Sequence, residues 1–103
     1  MERFEVEISD QAFRQFGECV YFIQKENEQA AEQLYHRLMD GISSLRSMPG
    51  RYPFFYAAYI PPNKYHKLYI EKYYLILYQI RDQWVYVDYV LDCRRDYRWL
   101  LHS

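Results

Sequence analysis

The sequence predicts an α+β fold of the order β-α-α-β-β-β, in which an antiparallel sheet carries a helical hairpin on one face. Two runs of aromatic and branched residues, 73–80 and 84–91, flank a short polar break, which is typical of an antiparallel β-hairpin. Two apolar stripes at helical spacing lie between residues 9 and 47, and alternating runs mark two further strands. At 103 residues the chain predicts one domain, 1–103, with a modest core.

Each of the first three elements has a local signal. Residues 4–8 alternate apolar and acidic side chains, which predicts a half-buried strand. Ser9 is a helix N-cap, and the first helix is expected to end near Lys25. Asn27 is a second N-cap, and the second helix is expected to run to about Ser47, just before a Pro-Gly pair. Because only a residue or two separates the helices, they should form an antiparallel pair.

The middle of the chain is less regular. Residues 52–63 combine prolines with five aromatic residues, too many for a wholly exposed loop. The segment either lies over the core as an extended cover or forms a partner-binding surface. The run 73–80 is apolar on both alternating faces, so it should be a central strand that is covered on both sides.

The strand at 65–71 should have two different faces. The more apolar alternate set is expected to face inward, and it consists of His66, Leu68 and Ile70. The outward set consists of Lys67, Tyr69 and Glu71, which alternate in line with Tyr65. A one-residue slip in register would exchange the two sets.

The composition excludes several classes of protein. Half of the residues are hydrophobic and a fifth are aromatic, which argues against disorder. No stretch reaches the roughly 18 apolar residues of a membrane span, and the opening residues lack a signal-peptide core, so a cytoplasmic location is expected. Cys19 and Cys93 are far apart and should be free buried thiols, and the histidines are isolated, so no metal site is expected. Three glycines supply no phosphate-binding loop, and no cofactor is expected.

Charge is distributed unevenly along the chain. Residues 1–48 hold five lysines and arginines against nine acidic residues, whereas residues 49–103 hold eight against five. The basic half could meet an anion, or the two halves could attract each other within the fold.

Basic side chains near the strand ends are the candidate binding residues. Arginine holds phosphate through two hydrogen bonds and stays charged, and tyrosine rings can stack on unpaired bases. The predicted patch comprises Arg94, Arg95, Arg98 and Lys67, with Arg51 and Lys64 at its margin and Tyr69 and Tyr97 as stacking rings. The alternative is that the arginines pair with Asp88, Asp92 or Asp96 and close the edge of the domain.

Acid–base chemistry on a phosphodiester needs a proton acceptor, a proton donor and charge stabilisation. Side chains of a suitable type are Glu71, His66, Lys67, Tyr97 and His102. No spacing forces the role on any of them, and a structural role is the alternative for each.

Several stretches are similar to one known group of proteins. They are the run 74–80, the strand 85–91 and the ending Arg94-Arg95-Asp96 with Leu100-Leu101 beyond it, together with the opening 6–9 and the helix exit 45–49. In these residues the chain resembles toxins of the RelE/ParE superfamily, the toxin halves of bacterial type II toxin–antitoxin modules. The resemblance implies a cognate antitoxin as partner. It also implies one of two targets: RelE-type members cleave messenger RNA in the ribosomal A site, and ParE-type members poison DNA gyrase without being nucleases.

The resemblance also implies site residues. Arg95 matches an arginine that stabilises the cleaved phosphate in RelE-type toxins, and Lys67 matches one of their sheet lysines. Tyr97 lies close to Leu101, where a tyrosine is expected, which gives Arg95, Lys67 and Tyr97 as candidate catalytic residues. The candidate substrate-binding residues are Arg94, Arg98, Tyr69 and Lys64.

The RelE-type set is incomplete in this sequence. Leu75 stands where those toxins have another functional arginine, and Tyr69 where they have a second lysine. A ParE-like toxin directed at gyrase is therefore favoured. The alternatives are a ribosome-dependent endoribonuclease and an inactive scaffold that forms a homodimer through its aromatic 52–63 segment.

Overall fold

The computed structural model describes residues 3–96. The predictions for Tyr97, Arg98, Leu100, Leu101 and His102 lie outside the described residues. The strands are β1 (Glu5–Ile8), β2 (Phe54–Phe55), β3 (Tyr65–Ile70), β4 (Tyr74–Arg81) and β5 (Trp84–Asp92). The helices are α1 (Asp10–Gln24) and α2 (Glu28–Ser43), and short 3-10 turns follow at Ser44–Arg46 and Pro49–Arg51.

The five strands form one sheet in the order β1-β5-β4-β3-β2. The predicted α+β class is confirmed, and so is the central position of β4, which pairs antiparallel with β3 and β5. The sheet is mixed rather than wholly antiparallel, because β1 pairs parallel with β5. After the helical hairpin the chain forms the rest of the sheet, and the first strand, β1, lies at the sheet edge beside the last strand, β5. The two-residue strand β2, which pairs with β3, was not predicted, because the prolines of the 52–63 segment argue against regular structure there.

Both predicted helix starts are confirmed by their caps. Ser9 Oγ accepts the backbone N–H of Ala12 at 3.0 Å, and Asn27 Oδ1 accepts that of Ala30 at 3.0 Å. The predicted end of the second helix near Ser47 is wrong, because α2 ends at Ser43 and a 3-10 turn follows. The Ser44 hydroxyl donates to the Gly41 carbonyl at 2.6 Å, a local bond of the kind that competes with helical hydrogen bonds.

The helices cover one side of the sheet, here called the helix face. α1 packs on α2 and β5, and α2 packs on β3. The sheet residues of this core are Leu68, Tyr74, Ile76, Tyr78, Val85, Val87 and Val90. A Cβ at Gly41 would lie 2.5 Å from Ile70 Cδ1, so the glycine lets α2 approach the sheet closely.

The opposite side, here called the loop face, is covered by the 52–63 segment. Phe55 and Ile60 pack there against a second buried cluster, which consists of Tyr65, Leu75, Leu77 and Leu91. The cover interpretation is thus confirmed for these two side chains, although Tyr56 in the same segment is 66% exposed. Tyr65 alternates in line with the residues that were predicted to face outward, but it is buried because the 52–63 segment covers that face.

A β-bulge decides which face each residue of β5 occupies. The register shifts between Leu77 and Tyr78: Leu77 is opposite Tyr89, and Tyr78 is opposite Val87. Asp88 between them therefore has no residue opposite it on β4. One extra residue exchanges the two faces of a strand. Val87 therefore lies on the helix face, as does Val90, three residues later.

Candidate functional site

The chain beyond β5 turns around one buried carboxylate. Asp92 is 2% exposed. Its Oδ1 accepts the backbone N–H of Arg94 at 2.9 Å and the guanidinium Nε–H of Arg94 at 3.3 Å. The backbone N–H of Asp92 donates in turn to Asp96 Oδ2 at 2.8 Å. These bonds fix the direction in which the two arginines leave the sheet.

Arg94 combines a structural contact with an exposed surface. Its Nη2 donates to the Tyr74 hydroxyl at 3.1 Å, and its guanidinium carbon lies 4.3 Å from the centre of the Tyr73 ring. The side chain is nevertheless 51% exposed. Burial opposes its charge, but the hydrogen bond and charge of Asp92 outweigh that effect, so the pKa of Arg94 lies above its ordinary value. Arg94 remains a cation at any pH at which the protein folds.

Arg95 extends to the C-terminal end of α1. Its guanidinium carbon lies 5.4 Å from the centre of the Phe22 ring. The last turn of α1 contains no basic residue of its own, so Arg95 places a positive charge near the negative end of the helix dipole. Within residues 3–96, no carboxylate forms an ion pair with Arg95. Among these residues its charge is therefore not neutralised by a carboxylate.

A pocket of about 320 Å³ lies beside Arg94, between the helices and the β3–β4 turn. We call it the arginine pocket, and its polar lining consists of Gln33, Arg37, Glu71, Tyr73, Tyr74 and Arg94. Arg37 on α2 forms an ion pair with Glu71. Glu71 and Lys72 both have left-handed backbone angles, with φ of 54° and 76°. Such residues cost on the order of 1 kcal/mol or more each, and the ion pair fastens this strained turn to α2.

The other predicted binding residues lie on the loop face. Lys67 pairs in register with Leu77 and Tyr69 with Leu75, and both leucines belong to the loop-face cluster. Lys64 is held nearby, with its Nζ 5.4 Å from the centre of the Tyr65 ring. The predicted basic patch is therefore divided: Arg94 and Arg95 lie on the helix side, and the lysines lie on the other.

Two further basic candidates have structural roles. His66 is sandwiched between the rings of Phe54 and Tyr78, and its Nδ1 lies 2.7 Å from the Tyr52 carbonyl oxygen. Arg51 donates to the carbonyls of the preceding 3-10 region, including that of Met48 at 2.9 Å, and it also packs on Tyr52. Neither side chain lines the arginine pocket.

Sequence reasoning missed three members of this region, namely Phe22, Arg37 and Tyr73. Phe22 and Arg37 lie outside the apolar stripes of their helices, where no periodic signal marks them. Tyr73 begins an apolar run and was assigned to the core strand, but it lies in the turn and is 44% exposed. Within the part of the chain that the structure describes, no group of three potential ligands could hold a metal ion. No helix of that part is both long and apolar enough to cross a membrane.

Comparison with known proteins adds one finding at the level of the fold. No protein-family model matches the chain, and neither does any curated protein. The structure is similar to a chain from the solved structure "Chromosomal ParDE TA system from P. aeruginosa", with a TM-score of 0.73 and 6% identity over 87% of this chain and 96% of that chain. This chain shares the fold of that chain. The resemblance to RelE/ParE toxins that the sequence suggested is thereby confirmed for the fold.

Proposed function

We propose that the chain is the toxin of a type II toxin–antitoxin system. It would act in the bacterial cytoplasm, inhibit growth until a cognate antitoxin neutralises it, and have DNA gyrase as its target. The fold shared with 96% of one chain of the ParDE toxin–antitoxin structure supports a toxin of this kind. The exposed cations of Arg94 and Arg95 supply a surface that could hold a target.

The separation of Lys67 from Arg95 is the observation that favours gyrase over messenger RNA. Cleavage of a phosphodiester requires a base, an acid and a stabilising cation that converge on one phosphate. Lys67 points from the loop face beside Leu77, whereas Arg95 packs on Phe22 of α1. The two side chains lie on different sides of the sheet, so this arrangement does not direct them at one phosphate. A toxin that binds and traps its target needs no such convergence.

The arginine end provides the chemistry of binding without bond cleavage. Arg94 is anchored at Tyr73, and Arg95 lies over the Phe22 ring, while both side chains stay exposed. Guanidinium groups fixed in this way bind carboxylates and phosphates at a lower entropic cost than mobile ones. A protein–DNA complex offers both groups, as carboxylates of the protein and phosphates of the DNA.

Growth of a bacterial host under induced expression tests this proposal. Wild-type protein should arrest growth, and Arg95→Ala should relieve the arrest while it remains soluble at the same level. Arg81→Ala is the matched control, because Arg81 is an exposed arginine at the opposite end of the β4–β5 hairpin. It should arrest growth as the wild type does.

A cleavage assay with purified gyrase and supercoiled plasmid identifies the target. The wild-type protein should trap linear, gyrase-linked DNA, and Arg95→Ala should trap much less. If expression instead produces new messenger RNA ends at codons under translation, and no plasmid is trapped, the endoribonuclease alternative is favoured over gyrase. Unimpaired growth at high soluble expression would contradict the toxin proposal and favour the scaffold alternative.

A further inference from the structure

Part of the loop face remains open, where β1 runs beside the first half of β5. The alternate residues of both strands belong to the helix-face core or pack against it, so the residues between them point to the loop face. These residues are Glu5, Glu7, Trp84 and Tyr86, here called the acidic–aromatic platform. Glu5 and Glu7 are exposed. Trp84 is 42% exposed, and Tyr86 is partly exposed.

The parallel register of β1 and β5 places one carboxylate beside each aromatic ring. Glu5 is opposite Trp84, and Glu7 is opposite Tyr86. Neighbouring strands lie about 4.8 Å apart, and residues two apart in a strand are separated by about 6.6 Å. The platform therefore repeats one unit, a carboxylate next to a ring, at intervals of about 6.6 Å along the sheet.

The two rings of the platform support each other. The rings of Trp84 and Tyr86 are stacked, with 6.0 Å between their centroids and 16° between their planes. The aliphatic stem of an arginine or lysine packs on such rings, and the π electrons attract its charged end. Because the rings are already ordered, a partner that packs on them pays less conformational entropy.

The negative charge of the platform is not compensated by the described part of the chain. Within residues 3–96, neither Glu5 nor Glu7 forms an ion pair. The lysines and arginines that lie over rings in these residues use rings other than Trp84 and Tyr86. Arg81, opposite Trp84 on β4, restricts the acidic surface to the β1 side. Charge complementarity therefore favours a partner that brings two cations to this side.

The shape of the platform indicates what kind of partner carries these cations. A nucleic acid is disfavoured, because the two carboxylates repel its phosphates. A helix docks in a groove, whereas an extended chain lays every second side chain onto a flat surface. Side chains two residues apart in an extended chain are separated by about 6.6 Å, which equals the spacing of Glu5 and Glu7 along β1.

We propose that the acidic–aromatic platform binds an extended basic segment of another protein, with arginine or lysine at alternate positions. Each cation lies at one carboxylate–ring unit, where arginine forms two hydrogen bonds to the carboxylate and packs on the ring. This interaction is independent of the toxin proposal. The platform is at the start of β5, and Arg94 and Arg95 follow its end, so the two surfaces share no residue.

Titration of the isotope-labelled full chain with designed peptides, followed by nuclear magnetic resonance, tests the proposal. The probe is a capped threonine peptide of about seven residues with two arginines two positions apart, since β-branched residues favour an extended backbone. In one control the arginines are three positions apart, which places them on opposite sides of an extended chain. In the other control, glutamates replace the arginines. The probe should shift the amide signals of residues 5–7 and 84–86, and it should bind at least about threefold more tightly than either control.

Substitutions in the platform separate its charge from its rings. Glu5→Gln/Glu7→Gln should weaken binding of the probe at least about fivefold, and Trp84→Val about threefold. Glu18→Gln/Glu26→Gln makes the same change of net charge at two exposed positions elsewhere and should leave binding unchanged. Glu5→Lys/Glu7→Lys should reverse the preference, so that the glutamate peptide binds more tightly than the probe. An unchanged urea midpoint for each variant excludes a folding defect.

Equal binding of the two arginine peptides would overturn the inference, because it would show attraction without the spacing of an extended chain. Equal weakening in the two double glutamine variants would overturn it as well, by assigning the effect to net charge. So would a single-stranded oligonucleotide that shifts the same signals, or a dimer in sedimentation that Trp84→Val dissociates. Growth arrest without peptide binding would remove the platform alone, and peptide binding without growth arrest would remove the toxin proposal alone.

Discussion

Replacing Arg94 with alanine should destabilise the protein, whereas replacing its neighbour Arg95 should not. Arg94 donates to the buried carboxylate of Asp92 at 3.3 Å and to the Tyr74 hydroxyl at 3.1 Å, and it covers the Tyr73 ring at 4.3 Å. Arg95 makes one ring contact, at 5.4 Å. The two residues are adjacent in sequence and identical in charge, so the comparison isolates these contacts.

The expected loss for Arg94→Ala is about 2 kcal/mol. An ion pair with one half-exposed partner contributes about 1 kcal/mol, a hydrogen bond about 1 kcal/mol and an exposed cation–π contact about 0.5 kcal/mol. For 103 residues, an unfolding entropy of about 2.1 cal/mol/K per residue converts this loss into a fall of about 9 °C in the melting temperature. Arg95→Ala should remain within about 0.5 kcal/mol of the wild type.

Urea denaturation followed by far-ultraviolet circular dichroism measures both variants. Arg94→Lys should give an intermediate loss, because it keeps the charge near Asp92 but not the guanidinium geometry. Arg81→Ala controls for the loss of an exposed arginine elsewhere. Equal losses in Arg94→Ala and Arg95→Ala, or no loss in Arg94→Ala, would refute the division of the pair into an anchored and an available residue. If the division holds, relief of growth arrest by Arg95→Ala reports lost binding rather than lost folding.

Two other predictions concern buried groups. Tyr78→Phe should cost about 1–2 kcal/mol in urea denaturation, because the fully buried Tyr78 hydroxyl donates to the Pro49 carbonyl at 2.6 Å and its loss leaves that oxygen unpaired. Burial raises the pKa of the Cys19 thiol from 9.0 to about 12, so the folded chain keeps a proton that the unfolded chain loses between these values. Stability should therefore be fully present below about pH 9 and fall as the pH rises towards 12, and Cys19→Ala should lose less stability than the wild type between about pH 8 and about pH 10. Identical losses for the two proteins over that interval would contradict the assignment to Cys19.

Elements with a local cause could be predicted from the sequence. Ser9 and Asn27 cap their helices within three residues of themselves, and periodicity marks the stripes that α1 and α2 bury. The doubly apolar run of β4 predicted its central position, because such a strand must be covered on both faces. The end of α2 was misjudged because a 3-10 turn can continue a helical stripe for three residues, and Leu45 in that turn is fully buried.

The candidate site could be predicted only as a set of residue types. Arg94 and Arg95 were identified from their position after a core strand, and Lys67 and Tyr69 from theirs on a neighbouring strand. Their division between the two sides of the sheet depends on the pairing of β4 with β5 and on the turn around Asp92. Strand pairing joins residues that are far apart in the sequence, and the turn depends on side-chain hydrogen bonds. Neither produces a periodic pattern that could be recognised in the sequence.

The sequence by itself determined the two helices, four of the five strands, their order and the central strand, because caps and periodicity act over a few residues. Tertiary structure alone decided which residues share a surface. The bulge at Asp88 exchanges the faces of β5, the parallel pairing of β1 joins the first strand to the last, and the packing of α1 on α2 opens a groove around Gly17. Each of these depends on long-range register and packing, in which a shift of one residue moves a side chain to the opposite side of the sheet.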